Sequence, residues 1–188
     1  MRRQAITLGR IGILLPIAVI IPFFGALAGL ATMVLLLISH YNFSKVYEKP
    51  AIFKNALTGS IIVVAGNLLG GILVAIGVGT ALFASSETGL DFSGYQELMG
   101  QIFGSGLSIF GAIIMLASGI IGIYFVWKSL QTLAGQTRIN LFKTAGLLYF
   151  IGVIASVIFI GGLVVFAGWI LHVIAYFSLQ PEQETPAV

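Results

Sequence analysis

Residues 56–84 read ALTGSIIVVAGNLLGGILVAIGVGTALFA, a run of apolar and small residues without one charged side chain. An α-helix rises about 1.5 Å per residue, and about 20 apolar residues cross the hydrocarbon core of a bilayer. The stretch is therefore long enough to cross a membrane as a single tilted helix. It indicates an integral membrane protein.

The composition of the whole chain agrees with this interpretation. Of its 188 residues, 59% are hydrophobic and 8% are charged, whereas a soluble domain usually carries about 25% charged residues. So few charges cannot cover a surface that faces water, which excludes an ordinary soluble domain. Cysteine is absent from the sequence, so disulfides, cysteine metal sites and thiol catalysis are excluded.

Three further apolar segments cover residues 11–39, 103–127 and 144–179. The last is too long for one ordinary crossing, and Gly161-Gly162 near its middle favours a turn between two helices. In the first segment, Pro22 favours a break because proline disrupts the helical hydrogen-bond pattern. We therefore predict an all-α, polytopic helical membrane bundle in a single domain, residues 1–179. Its six spans are expected at about 5–21, 24–40, 56–84, 103–127, 144–160 and 163–179.

The placement of charge predicts the orientation. Basic residues occur at the N-terminus and in two polar loops, around residues 45–54 and 128–143, whereas the loop 85–102 carries three acidic residues and no basic one. Short loops rich in Lys and Arg lie on the cytoplasmic side. Six spans in the plasma membrane put every basic cluster inside, with both termini cytoplasmic. Four spans are the alternative, and they would leave the N-terminal arginines outside.

One phrase occurs twice at the border between a basic loop and an apolar segment. It reads IFKNALTG at 52–59 and LFKTAGLL at 141–148, and a glycine pair follows each copy, at 70–71 and 161–162. The repetition suggests an internal duplication of a unit made of helix, basic loop and helix. The alternative is that rim lysines and glycine pairs arose independently.

A second set of residues is predicted to contact lipid at the membrane interface. Lysines and arginines at such borders extend their charged ends to water and headgroups, and Trp, Tyr and His lie among the headgroups. Trp169, His172 and Tyr176 share one helix face by their spacing, and a protonation-sensitive or ligand-binding site is the alternative interpretation for that face. The predicted interfacial residues are Lys45, Lys49, Lys54, Lys128, Arg138, Lys143, Trp169, His172 and Tyr176.

Asn67 is the most polar residue deep within a predicted span. A carboxamide there is expected to bond another helix, and a polar path through the membrane is the alternative. Glycines four residues apart let helix backbones approach closely, either within the chain or against another subunit. The predicted packing glycines are Gly25, Gly29, Gly66 and Gly70.

The sequence contains no pattern typical of a catalytic, cofactor or metal site. Acidic and basic residues avoid the middle of every predicted span, and only two histidines are present, so we expect no catalytic residues, no cofactor and no metal. The aromatic and basic loop at 40–54 is interpreted as contacting lipid, without nucleic acid as a partner. The tail 180–188 is predicted to be short, acidic and disordered.

The chain resembles the prokaryotic membrane family called domain of unknown function 996. The resemblance rests on SHYNFSKVYEKPAIFKNALTG at 39–59, QTLAGQTRINLFKTAGLLYFIG at 131–152 and WILHVIAYFSL at 169–179, and it covers roughly residues 8–179. It implies a multi-span helical membrane protein from a prokaryote and implies no activity.

From the residues we expect an integral membrane protein that is not an enzyme. Its expected role is an accessory or structural subunit of a larger membrane complex, or a self-associating protein, with lipids and other membrane subunits as partners. The alternative is a small transporter or channel for a neutral or lipid-like solute.

Overall fold

The computed structural model describes residues 1–20, 25–86, 100, 104–158 and 160–180. Within these residues the regular structure is helical and no strand occurs, which confirms the all-α prediction. Short 3₁₀ helices follow the first and fifth helices, at Leu15–Ile20 and Ser156–Ile158. The α-helices are α1 (Arg2–Leu14), α2 (Gly25–Val46), α3 (Pro50–Ser86), α4 (Gly106–Thr137), α5 (Leu141–Ala155) and α6 (Gly161–Ser178).

Five stretches of helix are long and apolar enough to cross a membrane. They are Leu27–Val46, Pro50–Thr80, Gly106–Thr137, Leu141–Ile158 and Gly161–Ser178. Helix α1, with 13 residues, measures about 20 Å and falls short of a hydrocarbon core about 30 Å thick. The predicted turn at Pro22, most of the loop 85–102 and the tail from residue 181 lie outside the described residues.

The long last apolar segment contains two helices, α5 and α6. Helix α5 ends at Ala155 and α6 begins at Gly161. A Cβ atom at Gly161 would overlap the backbone of Gly152 and Ser156. Glycine is therefore required at the start of α6, because the chain passes too close to itself for any side chain.

The chain divides into two compact units, and the single membrane domain expected from the sequence stays a prediction. Unit 1 contains residues 1–60 and 123–188, and unit 2 contains residues 61–122. The boundaries fall inside α3 and α4, so these two long helices contribute residues to both units.

In unit 1, α1 lies antiparallel to the second half of α2 and to α6. The hydroxyl of Ser39 donates a hydrogen bond to the carbonyl of Ala5, and a Cβ atom at Gly12, further along α1, would meet Leu35, which is earlier in α2. Helices α5 and α6 also pack against each other. The core of unit 1, to which α3 and α4 also contribute, is formed by Ala5, Ile6, Ile13, Phe43, Ile52, Leu130, Leu133, Ala134, Phe142, Ala175, Tyr176 and Leu179.

Several chain segments meet at one end of unit 1, which we call the basic end. It contains the start of α1, the loops α2–α3 (47–49) and α4–α5 (138–140), and the end of α6, with the basic residues beside them. Ser129 in α4 donates a 2.6 Å hydrogen bond to the carbonyl of Ile52 in α3. The Phe142 and Tyr176 rings lie edge to face, with centroids 5.2 Å apart. These contacts join both loops and α6 at the same end.

Each loop of the basic end turns at one residue in the left-handed conformation. These residues are Glu48, with φ 53°, and Arg138, with φ 57°. After α2, the N–H groups of Glu48 and Lys49 donate to the carbonyls of Lys45 and Ser44. This pattern closes the last turn of α2 as a Schellman motif, although the left-handed position is usually glycine.

Unit 2 is an antiparallel pair formed by the α3 residues 61–86 and the first part of α4. Gly66 faces Ser118, Gly70 faces Gly111, and Gly77 faces Ser108. A Cβ atom at Gly70 would lie 2.5 Å from the carbonyl oxygen of Gly111. Small residues on both helices therefore let the two backbones approach, as is common where lipid supplies no hydrophobic driving force.

Candidate functional site

A buried polar cluster lies in unit 1 near the basic end. Its members are Ser39 and His40 from α2, Tyr149 from α5, and His172 and Tyr176 from α6. All but the partly buried Tyr149 are buried. Polar side chains inside an apolar bundle are costly unless they bond each other, so this cluster is a candidate site.

Ser39 connects three helices. Its hydroxyl lies 2.7 Å from the carbonyl oxygen of Ala5, to which it donates, and 3.3 Å from the hydroxyl of Tyr176. Tyr176 itself is fully buried and packs against Phe43 as well as Phe142. The serine thereby fixes α1, α2 and α6 in one register.

His172 lies within an aromatic cage. Its ring stacks on Tyr176 with centroids 5.2 Å apart and meets the Phe142 ring edge to face at 5.8 Å. Its Nδ1 lies 3.3 Å from the hydroxyl of Tyr149. Its Nε2 is buried and has no hydrogen-bond partner among the described residues.

His40 has a similar arrangement. Its Nδ1 lies 2.7 Å from the carbonyl oxygen of Leu36, so Nδ1 carries the hydrogen and Nε2 is left as an acceptor. Within the described part of the chain, that Nε2 is buried without a hydrogen-bond partner. Chemically, the cluster offers two nitrogen atoms that can accept a hydrogen bond or a proton, fewer than the three or four protein ligands of a zinc site.

The structure corrects two predicted lipid contacts. His172 and Tyr176 are 3% and 0% exposed, so both lie inside the protein and not among headgroups. His172 is enclosed by the Phe142 and Tyr149 rings of α5, and Tyr176 is covered by α1, which packs against this face of α6. A Cβ atom at Gly9 would overlap the Tyr176 ring, and the indole nitrogen of Trp169, which is partly buried, donates a 2.8 Å hydrogen bond to the carbonyl of Ile13.

Arg10 has a role that the sequence did not reveal. Its Nε lies 3.1 Å from the carbonyl oxygen of Tyr176, and one terminal nitrogen lies 2.7 Å from that of Leu179. The guanidinium also lies over the Phe177 ring, 5.1 Å from its centroid. It satisfies carbonyls that a helix end leaves unbonded, next to the negative end of the helix dipole. The sequence feature that could have indicated this role is an arginine eight residues after the start of a short first helix.

The other predicted interfacial cations are exposed. Lys45 lies over the Tyr41 ring at 5.5 Å from its centroid, and Lys128 lies over the Tyr124 ring at 4.8 Å. Such cation–π contacts hold an ammonium group near the surface of the helix. The exposed set is Lys45, Lys49, Lys54, Lys128, Arg138 and Lys143, and their contact with lipid stays a prediction.

Asn67 does not bond another helix of the described chain. Its side-chain nitrogen donates a 2.8 Å hydrogen bond to the carbonyl of Val63, one turn earlier in α3, and the side chain is exposed. Sequence reasoning identified the residue but could not tell toward which side it points.

The four predicted packing glycines differ in their surroundings. Gly66 and Gly70 lie at the contact between α3 and α4. A Cβ atom at Gly29 would meet nothing within 4 Å, so this position is not a packing contact in the described structure. Gly25 is the first residue of α2.

Comparison with known proteins connects the chain to one family. Residues 28–170 match the family described as protein of unknown function, DUF996. The chain is also 28% identical, over 158 residues, to the uncharacterized protein MJ1644 of Methanocaldococcus jannaschii, covering 84% of this chain and 82% of that protein. No solved structure matches the chain.

Proposed function

This chain belongs to the DUF996 family, and we propose that it is a non-catalytic subunit of a membrane assembly. It binds side by side to another membrane protein or to copies of itself. The apolar helices make it a multi-pass membrane protein. The contact surface that we assign is the side of α3 that carries Asn67 and Gly71.

Exposure of Asn67 within a span is the observation that carries this proposal. The residue lies in the stretch Pro50–Thr80, which is apolar enough to cross a membrane. One amide hydrogen bonds the Val63 carbonyl, and the amide oxygen and the second amide hydrogen have no hydrogen-bond partner among the described residues, although the side chain is exposed. In lipid these atoms would lack partners, whereas a neighbouring helix could bond them for on the order of 1 kcal/mol.

Gly71 supports the same surface. It lies one turn after Asn67 on the same side of α3, and a Cβ atom there would meet nothing within 4 Å. A glycine beside an exposed carboxamide lets a second helix approach closely enough to bond the amide. Gly66 and Gly70, which contact α4, already show this use of small residues in unit 2.

Gentle extraction from the native membrane, followed by sizing and mass spectrometry, tests the proposal. We expect the native chain to travel with a stoichiometric partner or as an oligomer. Asn67→Leu should release it as a monomer with unchanged thermal stability. Leu68→Ala is the matched control, since Leu68 is a neighbouring exposed residue. An Asn67→Leu variant that keeps its assembly but changes solute flux in liposomes would replace this proposal by the transport alternative.

For orientation, we propose a plasma-membrane protein with its basic end in the cytoplasm. Support comes from the contacts that gather α1, both basic loops and the end of α6 at one end of unit 1 and from the rule that basic loops stay inside. Since the chain has no cysteine, Gln4→Cys can be labelled selectively. A membrane-impermeant maleimide should leave it unlabelled in intact cells and label it after lysis. Labelling in intact cells would contradict this orientation and place the N-terminus outside.

A further inference from the structure

A groove of about 250 Å³ lies between α2 and the start of α3, within unit 1. Its lining is entirely apolar or aromatic: Val34, Leu37, Ile38, Tyr41, Phe53 and Leu57. On α2 the lining residues recur every three or four positions, so they form one face that runs for about 10 Å along the helix. Both helices belong to membrane-crossing stretches, so the groove opens toward lipid.

The end of the groove that lies nearest the α2–α3 loop is aromatic and basic. The Tyr41 and Phe53 rings meet edge to face, with centroids 5.2 Å apart. The ammonium of Lys45 lies over the Tyr41 ring. Lys54 directly follows Phe53 and is exposed. The groove therefore ends next to the Lys45 ammonium, and Lys54 is one residue beyond Phe53 at the same basic end of unit 1.

The charge around this end of the groove favours an anion. Between residues 41 and 54 the chain has three lysines and one acidic residue, Glu48. Helix α2 ends at Val46 and α3 begins at Pro50, so opposite ends of two helix dipoles meet here and the lysines decide the sign of the charge. An apolar groove that leads down from a cationic rim matches a molecule with one anionic end and one long apolar chain.

We propose that this groove binds an anionic phospholipid of the surrounding leaflet. One acyl chain lies along Val34, Ile38 and Leu57, and the phosphate lies between Lys45 and Lys54. The glycerol region is then level with the Tyr41 and Phe53 rings. This is a discrete site on the α2–α3 hairpin, beyond general contact with the membrane, and it does not depend on the association surface at Asn67.

The α4–α5 hairpin provides the matched control. It also has exposed lysines, Lys128 and Lys143, and it contributes no residue to this groove. Changing two lysines in either hairpin alters the net charge equally, so a difference between the two variants reports the groove and not bulk electrostatics.

Native mass spectrometry of the full chain in detergent, with added phosphatidylglycerol or phosphatidylcholine, tests the proposal. We expect one phosphatidylglycerol per chain, bound more tightly than phosphatidylcholine. Lys45→Gln with Lys54→Gln should weaken phosphatidylglycerol binding roughly 25-fold, because each surface lysine contributes about fivefold. Lys128→Gln with Lys143→Gln should leave that binding unchanged.

A second variant tests the acyl chain. Ile38→Trp fills the groove at a position that is 40% exposed, so folding is preserved while both lipids are displaced. Ile151→Trp, at an exposed position on α5, should displace neither. Equal binding of the two lipids, equal loss in the two double-lysine variants, or a second protein chain in place of the lipid would overturn the proposal.

Discussion

The contacts inside unit 1 differ in kind from the contacts inside unit 2. In unit 1, the side chains of Ser39, Ser129 and Trp169 each donate a hydrogen bond to a backbone carbonyl of another helix. Large rings such as Phe142 and Tyr176 are fully buried. In unit 2, glycines and serines on two helices face each other, and the outer faces are exposed, with Leu68 62% exposed.

Under the proposed function, unit 1 carries the stability of the fold and the outer side of unit 2 carries the association with other chains. The helices of unit 1 are linked by hydrogen bonds from buried side chains and by buried aromatic rings of the same unit. Unit 2 has a close contact on one side and leaves Asn67 pointing outward on another. Substitutions in unit 1 should therefore destabilise the folded chain, and substitutions on the outer side of unit 2 should change its partners.

The largest effect is expected at Phe142. It is 0% exposed and contacts both His172 and Tyr176, so Phe142→Ala should cost about 3–5 kcal/mol of unfolding free energy. Phe53→Ala, at the same place in the repeated phrase, should cost about 1 kcal/mol because Phe53 is partly exposed. Unfolding in mixed detergents measures both. Equal losses of unfolding free energy would show that the position in the repeated phrase, and not burial, sets the cost of the substitution.

The next effect separates two adjacent glycines of α3. Gly70→Ala should push α3 and α4 apart and cost about 1–3 kcal/mol, since its Cβ would meet the Gly111 carbonyl and Met115. Gly71→Ala should be neutral in stability because its Cβ meets nothing within 4 Å. Thermal melts compare them. A destabilised Gly71→Ala would mean that the outer side of α3 is already covered within the chain.

A smaller effect is expected for the buried serine of α4. Ser129→Ala removes the hydrogen bond to the Ile52 carbonyl and should cost about 1–2 kcal/mol, because that acceptor stays buried. Ser178→Ala should change little, since Ser178 is exposed and bonds only the Ile174 carbonyl of its own helix. Chemical unfolding distinguishes the pair, and indistinguishable midpoints would contradict the assigned role of Ser129.

The length of the apolar segments predicted the helical class. The placement of charge along the sequence predicted that the basic clusters share one side. The register of the repeat was not predictable in the same way. The phrase aligns Phe53 with Phe142, but Ile52 and Phe142 are the fully buried pair, each four residues after a left-handed residue. The left-handed residue lies five positions before the phenylalanine of the first copy and four positions before that of the second. Only the backbone conformation reveals this difference of one residue.

The structure adds one correspondence to the predicted duplication. Ser39 and Ser129 each lie nine residues before the left-handed residue of their loop, and each donates to a carbonyl of another helix. The buried polar cluster was harder to foresee. His172 and Tyr176 share a helix face by spacing, but sequence periodicity does not say whether lipid or α1 covers that face.

Cross-linking from one side of α3 tests the proposed association most directly. Because the chain has no cysteine, Gly71→Cys can carry a photoreactive maleimide in native membranes. Ile76→Cys is the control, at an exposed position on the opposite side of the helix. The proposal predicts that Gly71→Cys captures a defined protein neighbour and that Ile76→Cys captures mainly lipid. Equal capture from both positions, or none from Gly71→Cys, would contradict it.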